Sequence, residues 1–185
     1  MSNPTPILAA ASGSAAEPPL VQTRNALRCG IRLQTSGGSL PLLLPADRPA
    51  ELRRGMAICS VPNVAPWFFG MANLRGELVP VFDLLGYCGL GRTTRQRSSE
   101  LLLIGTAASA FALPGTGEPE ILQLSEDGAG THTAPAQISE FIYNAWKGVN
   151  THWYDFDFDR WLLQLSRGEN PLPLPFSPSQ TELSS

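Results

Sequence analysis

The stretch Trp67–Tyr87, "WFFGMANLRGELVPVFDLLGY", decides how this chain is read. Two apolar segments flank Asn73-Leu74-Arg75-Gly76-Glu77, and the second of them contains Pro80. Apolar runs bounded by turn residues read as strands. The stretch therefore predicts a β-hairpin, with Trp67–Leu74 ascending, Arg75-Gly76-Glu77 at the turn and Leu78–Phe82 returning. Gly76 supplies the positive φ that a tight turn needs. Pro80 lacks a ladder donor, which sets its strand at a sheet edge or kinks it. Asp83 then caps a short helical turn in "DLLGYCGLG". Trp67, Phe68 and Phe69 cannot all share one face of a strand. Phe68 points opposite to its neighbours, into a second packed layer or an exposed apolar patch.

Working outward, Leu27, Cys29, Ile31 and Leu33 alternate with Arg28 and Arg32, the period-two pattern of a half-buried strand. Residues 36–39 supply a glycine turn, and 40–45 return as an apolar strand. The polar segment 47–55 reads as a connection with a helical turn closed by Gly55, and 56–61 as a strand ended by Pro62. A basic crossover with Arg92, Arg95 and Arg97 leads to a second set of strands at 100–106, 109–113 and 118–124, with a turn at 114–119. Residues 138–148 read as helix entering a strand, 151–156 as a strand, and 157–166 as a closing helix burying Phe158, Trp161, Leu162 and Leu165. Two hairpins end on an acid followed by an apolar turn, at Asp83 and Asp157, a faint internal duplication. Many short strands with turns between them predict a mainly β chain of two small barrels. Barrel one is expected at about 25–90 and barrel two at about 98–167. The tails, 1–24 and the Pro-rich 168–185, read as disordered or polyproline.

Composition narrows the function. The 185 residues are 43% hydrophobic with a net charge of −3, which argues against a nucleic-acid binder needing a basic face. Residues 1–100 hold 10 arginines and 6 acids, and 101–185 hold 3 bases and 10 acids. Opposite signs on two halves would favour docking to proteins or head-to-tail self-association. Cys29, Cys59 and Cys88 lack metal-ligand spacing and suit small buried thiols in a reducing compartment. The N-terminal apolar patch lacks a preceding Lys or Arg, as a secretory signal would have. No run reaches about 20 apolar residues, so a cytoplasmic protein without membrane insertion is expected.

Reactive groups are sparse. Of the two histidines, His132 sits in a Gly/Thr loop and His152 beside Trp153, neither next to a nucleophile. "DFDFD" (155–159) offers alternate carboxylates that would share one strand face, a conceivable cation site short of oxygen donors; otherwise it is a strand leading into a helix cap. Residues 114–119 lack the Lys-Ser/Thr of a phosphate loop. No catalytic residue, metal site or cofactor is expected.

"VPNVAPWFFGMANLRGELVPVFDLLGY" (61–87) resembles the signature of the CheW-like domain, the chemotaxis coupling fold: Val-Pro, a glycine, Asn-Leu-Arg-Gly-Glu, a Val-Pro-Val return and Asp-Leu. Trp67 and Ala72-Asn73 look like the PilI-like branch of type IV pilus twitching motility. The likeness covers about residues 25–167. It implies two five-stranded SH3-like barrels packed together, without catalysis. It also implies one surface for the regulatory domain of a CheA-type histidine kinase and another for the cytoplasmic tip of a chemoreceptor. Carried over by motif, the partner-binding positions are Glu51, Asn73, Arg75, Gly76, Glu77, Leu102 and Leu103. The chain departs from the family at "FALPGTGEPEIL" (111–122), where Pro114-Gly115 replaces an expected Val-Asp and implies an altered groove wall.

Two readings of Arg75 stand together: a clamp pinning the hairpin with its five donors, or a contact to a partner. Glu77 reads as plainly exposed and Asp83 as a cap. The rival to the adaptor reading is a small β-barrel ligand- or metal-binding protein using the acidic 155–159 strand with His152. A self-assembling scaffold is a third.

Overall fold

The computed structural model describes residues 25–35, 37–93, 100–106, 109–126 and 134–168. Both tails, Gly168 apart, lie outside the described residues, as do His132, Arg95 and Arg97. The first strand, β1 (Asn25–Thr35), turns through the glycines into β2 (Gly38–Leu43), in a register that sets Ile31 opposite Leu42. Then follow β3 (Ala50–Arg54), the two-residue β4 (Ile58–Cys59), β5 (Phe68–Leu74), β6 (Glu77–Phe82) and the one-turn α1 (Leu84–Tyr87). The second half supplies β7 (Glu100–Ile104), β8 (Phe111–Pro114), β9 (Glu120–Glu126) and a 3₁₀ turn (Ala136–Phe141) running straight into β10 (Ile142–Lys147). It closes with β11 (His152–Phe156) and α2 (Phe158–Ser166).

The helical turn expected near Gly55 is instead β3. Its sequence, Ala-Glu-Leu-Arg-Arg, is made of good helix formers, but β7 offers an open ladder and Glu51 pairs opposite Leu103. Tertiary pairing overrides local propensity here.

The two β bodies do not divide the chain at 90–98. One is a closed barrel in the order β1-β2-β11-β10-β9, and the other a six-stranded sheet in the order β3-β7-β8-β6-β5-β4. The barrel joins the two ends of the chain, and the sheet is made from the middle. The β1–β2 hairpin has two free edges, and strands from the far end fill both. β9 runs antiparallel to β1 and β11 runs parallel to β2, with Tyr154 opposite Leu42.

Strand alternation then distributes the apolar side chains into three cores. Leu43, Leu124, Trp146 and Trp153, with Ala26 beside them, come from all five barrel strands and fill its lumen. Val79, Val81, Leu101, Leu103 and Ala112 pack on one face of the sheet. The largest core lies between the bodies, drawing Ile31 and Leu42 from the barrel, Leu102 and Leu113 from the sheet, Tyr87 from α1 and Trp161 from α2.

Two hairpin details follow from backbone chemistry. A β-bulge falls between Phe68 and Gly70, where Gly70 has φ +132° and a Cβ would come within 2.2 Å of the Cys59 carbonyl oxygen; only glycine fits. The bulge separates the aromatic run. Trp67 packs on the central core, Phe69 on the sheet core, and Phe68 against Phe82 at 5.5 Å between centroids. Pro80 is not at an edge, since β6 lies between β5 and β8. Counting outward from the two-residue turn, Pro80 faces Met71 at a non-hydrogen-bonded position. β8 bridges β6 only at Val81, so the missing N–H removes no ladder bond to β5.

Candidate functional site

The β5–β6 tip is built by its own sequence. Arg75 has φ +54° and Gly76 φ +96°, so both central residues of the turn are left-handed, as the primed two-residue turns of hairpins require. Sequence reading foresaw this for Gly76 and missed it for Arg75. The Gly76 N–H donates to the Asn73 side-chain oxygen at 2.9 Å, which locks the turn and gives Asn73 a structural task. Arg75 and Glu77 are exposed. Among the described residues the Arg75 guanidinium makes no hydrogen bond or ion pair, so the clamp reading does not hold. Leu78 lies directly across from Asn73 and is 65% exposed. Sequence reading overlooked it, although the parity of the buried Val79 and Val81 places Leu78 on the opposite face.

The other carried-over positions are not gathered at this tip. Leu102 and Leu103 are 0% and 3% exposed. They belong to the central and sheet cores respectively, so neither offers a surface to a partner. A strand with neighbours on both edges and cores on both faces is buried whatever its resemblance implies. Glu51 stands on β3 opposite Leu103, in ion-pair contact with Arg53 at 2.8 Å. Glu51, Leu103, Ala112 and Val81 form one row across the sheet. Glu51 is thus three strands, about 14 Å at ordinary strand spacing, from the β6 strand whose far end carries Arg75.

The departure at 114–119 is a closed turn. Gly115 N–H donates to the Glu100 carbonyl at 3.1 Å, and Arg54 reaches Glu118 at 2.6 Å. The acidic run is dispersed. Asp155 is buried in the barrel, where it accepts from Arg28 and from the Trp146 indole N–H, each at 2.6 Å. Asp157 caps α2 by accepting the Arg160 N–H at 2.9 Å. Asp159 is exposed on α2 and bonded to Arg48 at 2.6 Å. Shared-face geometry ends at Asp157, where strand gives way to helix. No cluster of three or more metal-ligating acids, histidines or cysteines occurs among the described residues. These aspartates line, with Arg28, Arg48 and Tyr143, a cleft of about 420 Å³ at the barrel mouth. The cysteines differ from the expectation of buried thiols: Cys88 is buried and its thiol is pushed up to about 12 by burial, Cys29 is half-buried and Cys59 exposed.

Asp83 occupies the cap position of α1 yet makes no cap bond there. It is buried, and its two oxygens accept from the backbone N–H (3.2 Å) and hydroxyl (2.9 Å) of Thr93. Asp83 ties the segment after α1 back onto the sheet. Burial raises its carboxyl above the ordinary carboxylate range, against the nearby Gly86 backbone N–H, the Thr93 bonds and the Arg92 charge, which favour ionisation. An acid that holds its proton more tightly folded than unfolded adds stability as pH falls through the raised folded value, levelling off below the unfolded value near 3.8. Asp83→Asn keeps an acceptor for Thr93 and removes the charge. It is expected to raise the melting temperature at pH 7 and flatten its dependence on pH above about 4, the ordinary aspartate value. Parallel pH profiles for the two proteins would overturn this.

Comparison with known proteins fits this architecture. The family model for the CheW-like domain matches residues 34–158. The chain belongs to the CheW-like domain family. Protein PilI of Pseudomonas aeruginosa is 28% identical over 94 residues, covering 51% of this chain and 49% of that protein; the chain thus spans about half the length of the curated relative. This agrees with the PilI-like branch read from Trp67 and Ala72-Asn73. The scaffolding protein TtCheW from Thermoanaerobacter tengcongensis superposes with a TM-score of 0.54 at 16% identity, covering 71% of this chain and 89% of that one, which establishes likeness of fold. No described helix of this chain is long and apolar enough to cross a membrane.

Proposed function

We propose that this chain is a cytoplasmic, non-catalytic adaptor that couples a chemoreceptor to a CheA-type histidine kinase in a twitching-motility pathway. One observation carries the reading: the Asn-Leu-Arg-Gly-Glu signature forms an exposed, internally locked hairpin tip on a double β body. The tip offers a cation at Arg75, an anion at Glu77 and an apolar side chain at Leu78. The two-residue turn fixes the backbone beneath Arg75, so binding orders the side chain and not the loop that carries it. Glu51 on its separate strand is a second contact, and Leu102 and Leu103 act by holding that strand in place. The PilI likeness supports the pilus branch, and the name of TtCheW, a scaffolding protein, supports the adaptor role.

The test separates binding from folding. Arg75→Asn creates the Asn-Gly pair that primed turns favour and removes the guanidinium. Its melting temperature is expected to match or exceed that of the parent, while affinity for a receptor-tip coiled coil falls about tenfold, the scale of an interface arginine. Calorimetric titration measures both the receptor tip and the kinase regulatory domain. Failure of the unaltered protein to bind either at up to about 100 μM would overturn the adaptor reading.

A further inference from the structure

Strand β3 ends its sheet, and β7 is its sole strand neighbour among the described residues. The Gly105 N–H donates to the Pro49 carbonyl at 2.9 Å. With Glu51 opposite Leu103, the alternation of an antiparallel ladder turns the backbone groups of residues 49, 51 and 53 toward β7. The N–H and C=O groups of Ala50, Leu52 and Arg54 therefore point outward from the edge. Charged side chains usually guard such an edge. Here they are arranged as a self-complementary pair: Glu51 and Arg53 share one face two residues apart, joined at 2.8 Å. Among the described residues the Arg53 Nε is buried without an acceptor, and the pair with Glu51 is made through Nη2 alone.

We infer that a second copy of this chain docks here, β3 against β3, antiparallel about a two-fold axis at Leu52. In that register Ala50 faces the partner's Arg54, Leu52 faces Leu52, and all are outward-pointing residues that exchange backbone hydrogen bonds. Glu51 falls opposite the partner's Arg53, and Arg53 opposite the partner's Glu51, at the close non-hydrogen-bonded positions where side chains interact most. Sliding by one step of the outward residues in either direction sets Glu51 against Glu51 or Arg53 against Arg53. The charges thus select one register and disfavour its neighbours, and the contact is isologous and closes as a dimer. Five-residue strands bury little area, so the dimer is weak and forms at high local concentration, as at a crowded signalling site. The inference does not depend on the adaptor reading. It does place Glu51 in both contacts, so self-pairing and partner binding exclude one another.

Sedimentation velocity on the full chain from about 10 μM to 1 mM tests it. The unaltered protein is expected to show a reversible monomer–dimer equilibrium. Glu51→Arg and Arg53→Glu should each weaken it about tenfold or more, since both symmetric pairs turn repulsive. An equimolar mixture of the two variants should dimerise again, because every cross-strand pair in the mixed dimer joins Arg to Glu. Ala50→Pro alters no charge and leaves the β7 ladder intact, yet deletes an outward N–H; it should also weaken the dimer, and serves if a charge variant fails to fold. A chain that stays monomeric throughout, or a mixture no stronger than its separate components, overturns the inference.

Discussion

Arg28→Ala is expected to destabilise the fold by about 3–5 kcal/mol, the scale of a buried ion pair that loses one partner. The side chain of Asp155 is 4% exposed and that of Arg28 16%. The carboxylate lies in the barrel with two bonds of 2.6 Å, one to Arg28 and one to the Trp146 indole. Removing the guanidinium leaves an ion with a single neutral donor, away from bulk water. The cation also sits 5.7 Å from the Trp146 ring centroid, so packing and charge are lost together. Adding Asp155→Asn to the alanine variant removes the stranded charge while keeping an acceptor for Trp146, and should recover a substantial part of the loss. Urea denaturation of the three proteins measures this. A loss below about 1 kcal/mol for the single variant, the level of an exposed pair, would show that water entering the cleft screens the site.

Trp161→Ala should cost a similar amount, about 3–5 kcal/mol, for an apolar reason. Trp161 is fully buried. Its ring lies 5.7 Å from Phe82, 6.0 Å from Tyr87 and Phe111, and 6.2 Å from Phe156. Those partners come from both bodies and α1, so this one side chain on α2 fills the joint between barrel and sheet. Its indole N–H is buried with no acceptor among the described residues. Trp161→Phe removes that orphan donor, worth about 1–3 kcal/mol, and so offsets much of the lost area. Its expected cost is less than half that of the alanine variant by thermal or urea unfolding. Equal costs for both substitutions would mean that the donor is satisfied in solution.

These contacts mark how far the sequence can be read. Strand positions were legible because alternation is local: Ile31, Leu33, Val79 and Val81 are buried as their parity requires, although Leu27 of the same alternation is 74% exposed. The polar face of β1 was misjudged. Arg28 and Arg32 do not simply face solvent, since Arg32 lies 4.5 Å from the Trp153 ring centroid and Arg28 pairs with Asp155. The split in charge between the halves also dissolves in space. Arg28, Arg32, Arg48 and Arg54 from the basic half meet Asp155, Glu120, Asp159 and Glu118 from the acidic half. A chain whose ends share one barrel cannot present two oppositely charged halves. In the candidate site, the turn was legible at Gly76, whose positive φ is natural to glycine, and not at Arg75, where the hairpin imposes a φ that arginine seldom adopts. The burial of Leu102 and Leu103 was not, because it depends on β3 and β8 lying on either side of β7.

The sequence by itself determined the short strands, the hairpin tip with its family signature, the cap at Asp157 and the scarcity of reactive groups. Each depends on side-chain parity, backbone φ or residue chemistry within a few positions. Only the tertiary structure decided which strands pair, that segment 50–54 is a strand, which charges meet, and that the barrel closes from both ends of the chain. Those outcomes rest on ladders between distant residues, such as Tyr154 with Leu42 and Arg28 with Leu122, and the energy of an open strand edge is settled by whichever partner reaches it.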